Sequence, residues 1–256
     1  MAKLTVTSLQ QMKRDGQKIM AAVCYDYQLS KILDRAGVDL ISAGDSVGYT
    51  NFGQLTRYGT TMDEMVLVCR SVARAAEHAV VNGDLPFGPV QEGYKEAAKA
   101  AIRLIQEGEV DTVKLDNAAA NMDAVKAIVQ AGIPLWPQFG FSPQSSMAIG
   151  EFTARTDDIV ARRRDQILRE AQELEAAGAS LLDLTGVSHE IYGEVAKTVK
   201  IPVLGGQSGA EADGRIHTNF QVRASGIDQD PSPMNIGRFI YDAVTTTLNN
   251  VRAGKF

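Results

Sequence analysis

The chain has 256 residues, 45% hydrophobic and 22% charged, with a formal net charge of −5. That composition supplies one large buried core, argues against disorder, and leaves no concentrated basic face for nucleic acid or an anionic membrane. Two cysteines, Cys24 and Cys69, lack CxxC spacing and point to buried thiols in a reducing compartment, and no run of about 18 apolar residues exists to cross a bilayer.

The N-terminal stretch "MAKLTVTSLQQMKRDGQK" is polar and lacks the apolar region of a signal peptide, so a cytosolic protein is expected. From Ile19 onward, short apolar strands alternate with segments of helical period, the pattern of βα units on a parallel sheet. Strand one is expected at Ile19–Val23, with a helix near Ser30–Ala36, and strand two at Val38–Ala43. A Gly-rich connection leads to a helix over Met62–Ala79, which Thr61 and Glu64 would open as a capping box. Strand three, Val80–Asn82, precedes a helix at Gly93–Gln106, and strand four, Thr112–Leu115, precedes one at Met122–Ala131. Strand five, Ile133–Pro137, runs into a long polar loop and a helix at Ile159–Ala177. On that helix Arg162, Arg163 and Arg164 lie among acidic neighbours and read as a solvated face. Strand six, Ser180–Leu184, is followed by a helix at Glu190–Val199, and strand seven is Ile201–Leu204. An eighth, weakly signalled strand falls at Thr218–Arg223, before a closing helix at Ile236–Val251.

Eight such units fit one domain over residues 1–256, a single (β/α)8 TIM-type barrel, better than an open doubly wound sheet. Neither a G-x-G-x-x-G after the first strand nor a P-loop motif is present, which removes the main support for dinucleotide or nucleoside-triphosphate binding.

Barrel enzymes of this type place chemistry at the C-terminal ends of the strands. Strand two exits on Asp45–Ser46 and strand three on Asp84. Strand four carries Lys114 and Asp116, strand five exits on Gln138, strand six carries Asp183 and Thr185, and strand seven exits on Gln207–Ser208. Turn chemistry accounts for Asp45 or Asp84 taken singly. It does not account for charges at successive exits converging on one mouth. Residues i and i+2 share a strand face, so Lys114 points with Asp116, and Asp183 with Thr185. Inward charges there need a ligand or one another. Carboxylates without a histidine cluster suit a hard cation such as Mg²⁺, which takes oxygen ligands and leaves positions for a 2-oxo acid. His78, His189 and His217 are dispersed and form no zinc pattern.

These residues lie in stretches similar to those of a known family. "CYDY" at Cys24–Tyr27, "AGVDLISAGDSVG" at Ala36–Gly48, "TTMDEM" at Thr60–Met65, "DLPFG" at Asp84–Gly88, "VKLD" at Val113–Asp116, "GFSPQS" at Gly140–Ser145 and "IPVLGG" at Ile201–Gly206 keep their order and spacing. In them the chain resembles the ketopantoate hydroxymethyltransferase family of the phosphoenolpyruvate/pyruvate-domain superfamily. The resemblance implies a barrel that joins a one-carbon unit from 5,10-methylenetetrahydrofolate to a 2-oxo acid through its Mg²⁺-stabilised enolate. It implies metal ligation by Asp45, Asp84 and Asp116, and substrate contacts from Asp45, Ser46, Asp84 and Lys114. Gln138 takes the substrate-site place of the family's His. The resemblance also implies a homo-oligomer, with a decamer as one form.

The departures concern proton transfer. The family's general-base Glu falls on Thr185, which cannot accept a proton near neutral pH as a carboxylate does. Asp183, on the same face, is the nearest replacement, so the catalytic group is expected among Lys114, Asp183 and Thr185. Three functions follow. They are the same hydroxymethyl transfer with a relocated base, an aldolase, decarboxylase or lyase acting on another 2-oxo acid, and a non-catalytic paralogue that binds an oxo acid.

Overall fold

A computed structural model describes residues 2–56, 58–145, 163–218 and 236–253. The chain opens with α1 (Val6–Arg14), where the sequence pattern had indicated no element. Its residues are mostly polar, so the helical period is faint, but Thr5 and Ser8 form a reciprocal capping box and Lys13 and Arg14 suit its C-terminal end. Leu9 anchors it with a fully buried side chain, worth about 2 kcal/mol of transfer free energy.

Then come β1 (Ile19–Cys24), α2 (Tyr27–Ala36), β2 (Leu40–Ala43), the short α3 (Val47–Thr50) and α4 (Met62–Ala73). They are followed by β3 (Val80–Asp84), α5 (Tyr94–Gln106), β4 (Thr112–Leu115), α6 (Met122–Gln130) and β5 (Leu135–Gly140). The unit closes with α7 (Arg164–Ala176), β6 (Leu182–Thr185), α8 (His189–Thr198), β7 (Val203–Leu204) and β8 (Gly214–His217). Residues 1–217 form one compact unit and 218–256 a second, which contains α9 (Ile236–Arg252). No described helix is long and apolar enough to cross a membrane.

The strands lie in the order β7-β6-β5-β4-β3-β2-β1-β8, and each neighbouring pair is parallel. Two backbone hydrogen bonds cross the remaining seam between β7 and β8, from Asp213 to Val203 at 3.2 Å and from Ile216 to Gly205 at 3.1 Å. The sheet is thus a nearly closed barrel of the TIM type. β2, β3 and β4 are buried along their whole length, as parallel strands covered by helices must be, and the polar Asn82, Asp84 and Lys114 interrupt their apolar runs.

The capping box at Thr61 and Glu64 forms as expected, but α4 stops at Ala73 rather than Ala79. The segment after it is held by Asp34, whose carboxylate accepts hydrogen bonds from the backbone N–H groups of Glu77, His78 and Ala79. That alternative partner ends the helix, and His78 therefore lies in a loop. The eighth strand pairs with β1 at Gly214–His217. It precedes the Thr218–Arg223 stretch expected from sequence, of which residues 219–223 lie outside the described residues. The strand lacks an apolar signature because Arg215 points outward and Gly214 is needed for close approach: a Cβ there would lie 2.1 Å from the Ile19 carbonyl oxygen. Ser208, at the seventh exit, ties the carbonyls of Gly205 and Gly214 together. Most of the polar loop after strand five, residues 146–158, lies outside the described residues, as do the first residues of the helix expected from Ile159.

Candidate active site

Adjacent strands bring the central charges into register. Asp84 is paired with Lys114, Lys114 with Trp136, and Gln138 with Asp183. Lys114 Nζ lies 3.0 Å from Asp84 Oδ2 and 3.4 Å from Asp183 Oδ2, over the Trp136 ring at 5.2 Å from its centroid. All four side chains are buried. Burial works against the Lys114 ammonium, but Asp84, Asp183 and Asp45 outweigh it and hold its pKa above the ordinary lysine value.

Asp84 Oδ1 accepts hydrogen bonds from Ser42 Oγ at 3.0 Å and Asn82 Nδ2 at 2.7 Å. Asn82 and Asp84 share a strand face, so β3 supplies both the acceptor and one of its donors.

Asp45 follows Gly44 at the end of β2, and its carbonyl is fastened by Thr60 Oγ1 at 2.6 Å. Beside it, Ser46 Oγ and Tyr25 Oη share a hydrogen bond of 2.7 Å. The Asp45 carboxyl accepts from Gln144 Nε2 at 2.8 Å. Burial, then the charges of Asp84 and Asp116, push its pKa up to about 7 against that hydrogen bond.

Asp116 stands just beyond β4, before Asn117, whose left-handed backbone (φ +54°) turns its N–H onto Asp116 Oδ1. The other oxygen accepts from the Gln144 backbone N–H at 2.9 Å. Burial raises the Asp116 pKa, while hydrogen bonds from Ser142 and Gln144 oppose it.

The third cluster lies on β5 and β6. Gln138 Nε2 donates to Thr185 Oγ1 at 2.8 Å, and Thr185 Oγ1 donates to Asp183 Oδ1 at 3.4 Å. Gly140 permits this proximity, since a Cβ on its left-handed backbone (φ +91°) would lie 2.6 Å from the Thr185 carbonyl oxygen. Burial pushes the Asp183 pKa up to about 7 despite Lys114. One lysine shared by two carboxylates, and nearer to Asp84, does not offset the desolvation of the second.

The structure thus gathers Asp45, Asp84, Lys114, Asp116 and Asp183 at one mouth, with Ser46, Gln138 and Thr185 on their neighbours. Among the described residues no three His, Cys, Asp or Glu side chains are grouped as a metal cage. Asp45, Asp84 and Asp116 instead accept hydrogen bonds from Gln144, Ser42, Asn82 and the backbone of Asn117. Sequence reasoning missed Tyr25, Ser42, Asn82, Trp136 and Gln144 as parts of the site. The i, i+2 relation of Asn82 to Asp84 was available as a signal; the reach of Gln144 from the loop after β5 was not.

Known proteins agree with this architecture. A family profile described as ketopantoate hydroxymethyltransferase matches residues 3–256. A 3-methyl-2-oxobutanoate hydroxymethyltransferase of Flavobacterium johnsoniae is 33% identical over 253 residues, covering 98% of this chain and 92% of the relative. One of Christiangramia forsetii is 36% identical over 252 residues, covering 98% and 91%. Among solved structures, phosphoenolpyruvate phosphomutase from Streptomyces platensis subsp. rosaceus aligns with a TM-score of 0.65 at 14% identity, over 98% of this chain and 89% of that one. A phosphonopyruvate hydrolase complexed with oxalate and Mg²⁺ aligns at 0.64 and 12% identity, over 98% and 100%. At such identities the structural likeness concerns the fold. The sequence relationship is closer and spans the chain: it is an enzyme that belongs to the ketopantoate hydroxymethyltransferase family.

Proposed function

We propose that the protein transfers a hydroxymethyl group to a 2-oxo acid, taking 3-methyl-2-oxobutanoate from its relatives' names as the first substrate to try. In this reading Asp183 is the general base in place of the Glu that the family carries at the position of Thr185. The single observation that supports it most is the hydrogen-bond chain from Gln138 through Thr185 to Asp183. The Gln138 Nε2 group facing Thr185 can only donate, so the Thr185 hydroxyl is left to donate in turn, and it fixes one oxygen of Asp183. A carboxylate whose pKa is pushed up to about 7 accepts a proton near neutral pH far better than an ordinary aspartate.

Asp183 would take the proton from C3 of the oxo acid. The Lys114 ammonium, close to Asp183 and held charged by its carboxylate neighbours, would stabilise the negative charge that develops on the substrate oxygens. Ser46, oriented by Tyr25, would hold the substrate from the β2 side. The enolate carbon then bonds to the one-carbon unit as that unit leaves its carrier. We assign the carrier role to 5,10-methylenetetrahydrofolate, with water supplying the hydroxyl oxygen.

The residues fit a divalent cation in charge and donor type. Asp45, Asp84, Asp116 and Asp183 stand against one lysine, and burial of the surplus charge is what raises Asp45. Mg²⁺ is commonly held by one or two carboxylates together with water, which suits carboxylates that do not converge as a cage. Asp45, Asp84 and Asp116 would hold it, and when bound it supplies Lewis acidity toward the keto oxygen.

The replacement of the family's Glu by Thr185 favours, as the second reading, bond cleavage of a larger 2-oxo acid, in which no carboxylate base is needed to form the enolate. A homo-oligomer is in keeping with Ile236, Ile240, Val244 and Leu248, spaced along one face of α9. A cytosolic location remains the working assignment.

Incubation with 3-methyl-2-oxobutanoate, 5,10-methylenetetrahydrofolate and Mg²⁺, followed by mass spectrometry, tests the transfer. The expected product is the oxo acid heavier by CH2O, a hydroxymethyl group having replaced the C3 hydrogen. Absence of that product, with cleavage of a longer 2-oxo acid instead, would support the second reading.

A further inference from the structure

Gln144 meets two of the carboxylates at once. Its side-chain Nε2 donates to Asp45 Oδ2 at 2.8 Å and to the Leu85 carbonyl at 3.1 Å, and its backbone N–H donates to Asp116 Oδ2 at 2.9 Å. One residue of the loop after β5 therefore fastens the exit of β2 to the exit of β4, with the end of β3 between them.

The orientation of the amide is fixed by chemistry. Both partners of Nε2 are acceptors, so the nitrogen must face them and Oε1 must face the other way. That oxygen is fully buried and has no hydrogen-bond partner among the described residues. A buried amide oxygen left without a donor costs about 1–3 kcal/mol, and a methionine would fill similar volume without that cost. The polar atom is explained if a donor belonging to a bound group meets it.

We propose that Gln144 is a positioning residue for the divalent ion. Its two N–H donors hold Asp45 and Asp116 in a fixed mutual placement, and its Oε1 accepts a hydrogen bond from a water or hydroxyl that accompanies the ion. The proposal rests on the divalent-ion reading above and adds to it a residue outside the carboxylate set. Outer residues of this kind typically change metal affinity by about 10- to 100-fold when replaced.

The test uses Mn²⁺ as the probe, titrated into the full chain and followed by electron paramagnetic resonance, so it requires no turnover. Gln144→Met keeps the volume and removes every side-chain hydrogen bond, whereas Gln144→Asn keeps the amide and withdraws it from Asp45. If Gln144 positions the carboxylates, folded Gln144→Met binds Mn²⁺ about tenfold more weakly or worse. A role in packing alone predicts that Gln144→Met binds like the wild type, and that result overturns the proposal. Should Gln144→Met fail to fold, Gln144→Asn decides: weakened Mn²⁺ binding supports the proposal, and wild-type affinity overturns it. Wild-type protein that binds no Mn²⁺ overturns the divalent-ion reading and this proposal with it, an outcome distinct from equal binding by variant and wild type.

Discussion

Lys114 Nζ lies 3.4 Å from Asp183 Oδ2 while it makes a closer contact, at 3.0 Å, with Asp84 Oδ2. A single buried ammonium thus serves carboxylates from two other strands. Removing one partner of a buried ion pair typically costs about 3–5 kcal/mol because the remaining charge has no counterpart. Lys114→Met should therefore lower unfolding free energy by roughly 3 kcal/mol near neutral pH. The loss should be larger at pH 8 than at pH 5, where Asp183, its pKa pushed up to about 7, is protonated. Urea denaturation at the two pH values checks this; equal stability of variant and wild type at pH 8 would contradict the shared-lysine account.

The hydroxyl of Thr185 links Gln138 to Asp183. Thr185→Val keeps the shape, leaves the Gln138 amide without its acceptor and releases Asp183. The expected result is a fall in kcat of about tenfold, equivalent to about 1.4 kcal/mol, with KM for the oxo acid changed much less. Thr185→Ser, which retains the hydroxyl, should recover most of the rate. Steady-state kinetics on the three proteins settle the point, and an unaffected valine variant would remove Thr185 from the mechanism.

The stability of the metal-free protein should depend on pH in a definite direction. Asp45 and Asp183 have their folded-state pKa pushed up to about 7 from an ordinary value of 3.8. A raised carboxyl binds its proton more tightly when folded, so its contribution is fully present below about pH 4 and is lost as pH rises through about 7. In a chelating buffer, Tm should be higher at pH 5 than at pH 8. Mg²⁺ should raise Tm more at pH 8, where these carboxylates are charged. A flat profile, or a Mg²⁺ effect confined to pH 5, would contradict the burial of uncompensated carboxylates.

Much of this site was legible in the sequence because strand geometry is simple. Asp45 and Asp84 lie at strand exits that a barrel must bring together, and Lys114 with Asp116, like Asp183 with Thr185, obeys a period of two. Thr61 and Glu64 announced a helix start that the structure reproduces. What stayed hidden depended on tertiary partners. The polar α1 gains its place through buried Leu9 and through Gln10 and Lys13, which reach the carbonyls of Ser180, Ala196 and Ile201, and α4 ends early because Asp34, far away in sequence, supplies three acceptor contacts. Gln144 looks like an ordinary loop residue until the loop folds it against Asp45 and Asp116.

Cys24 and Cys69 are both buried and unpaired by disulfide, as their spacing suggested. Burial pushes the Cys24 thiol up to about 12 and raises Cys69 as well. Neither should form appreciable thiolate at pH 8, and thiolate is the reactive species. Iodoacetamide at pH 8 should leave both unmodified in the native protein and label both in urea, as read by mass spectrometry. Rapid native labelling of either would show that its pocket opens.

The central claim is that Asp183 removes the C3 proton of a 2-oxo acid. Exchange of that proton for deuterium in 3-methyl-2-oxobutanoate, followed by proton NMR in D₂O with Mg²⁺ and without any folate, isolates this step. The wild type is expected to exchange the proton, and Asp183→Asn to lose at least about 100-fold of that rate, in the range set by removal of a general base. Exchange that persists undiminished in Asp183→Asn would contradict this role of Asp183.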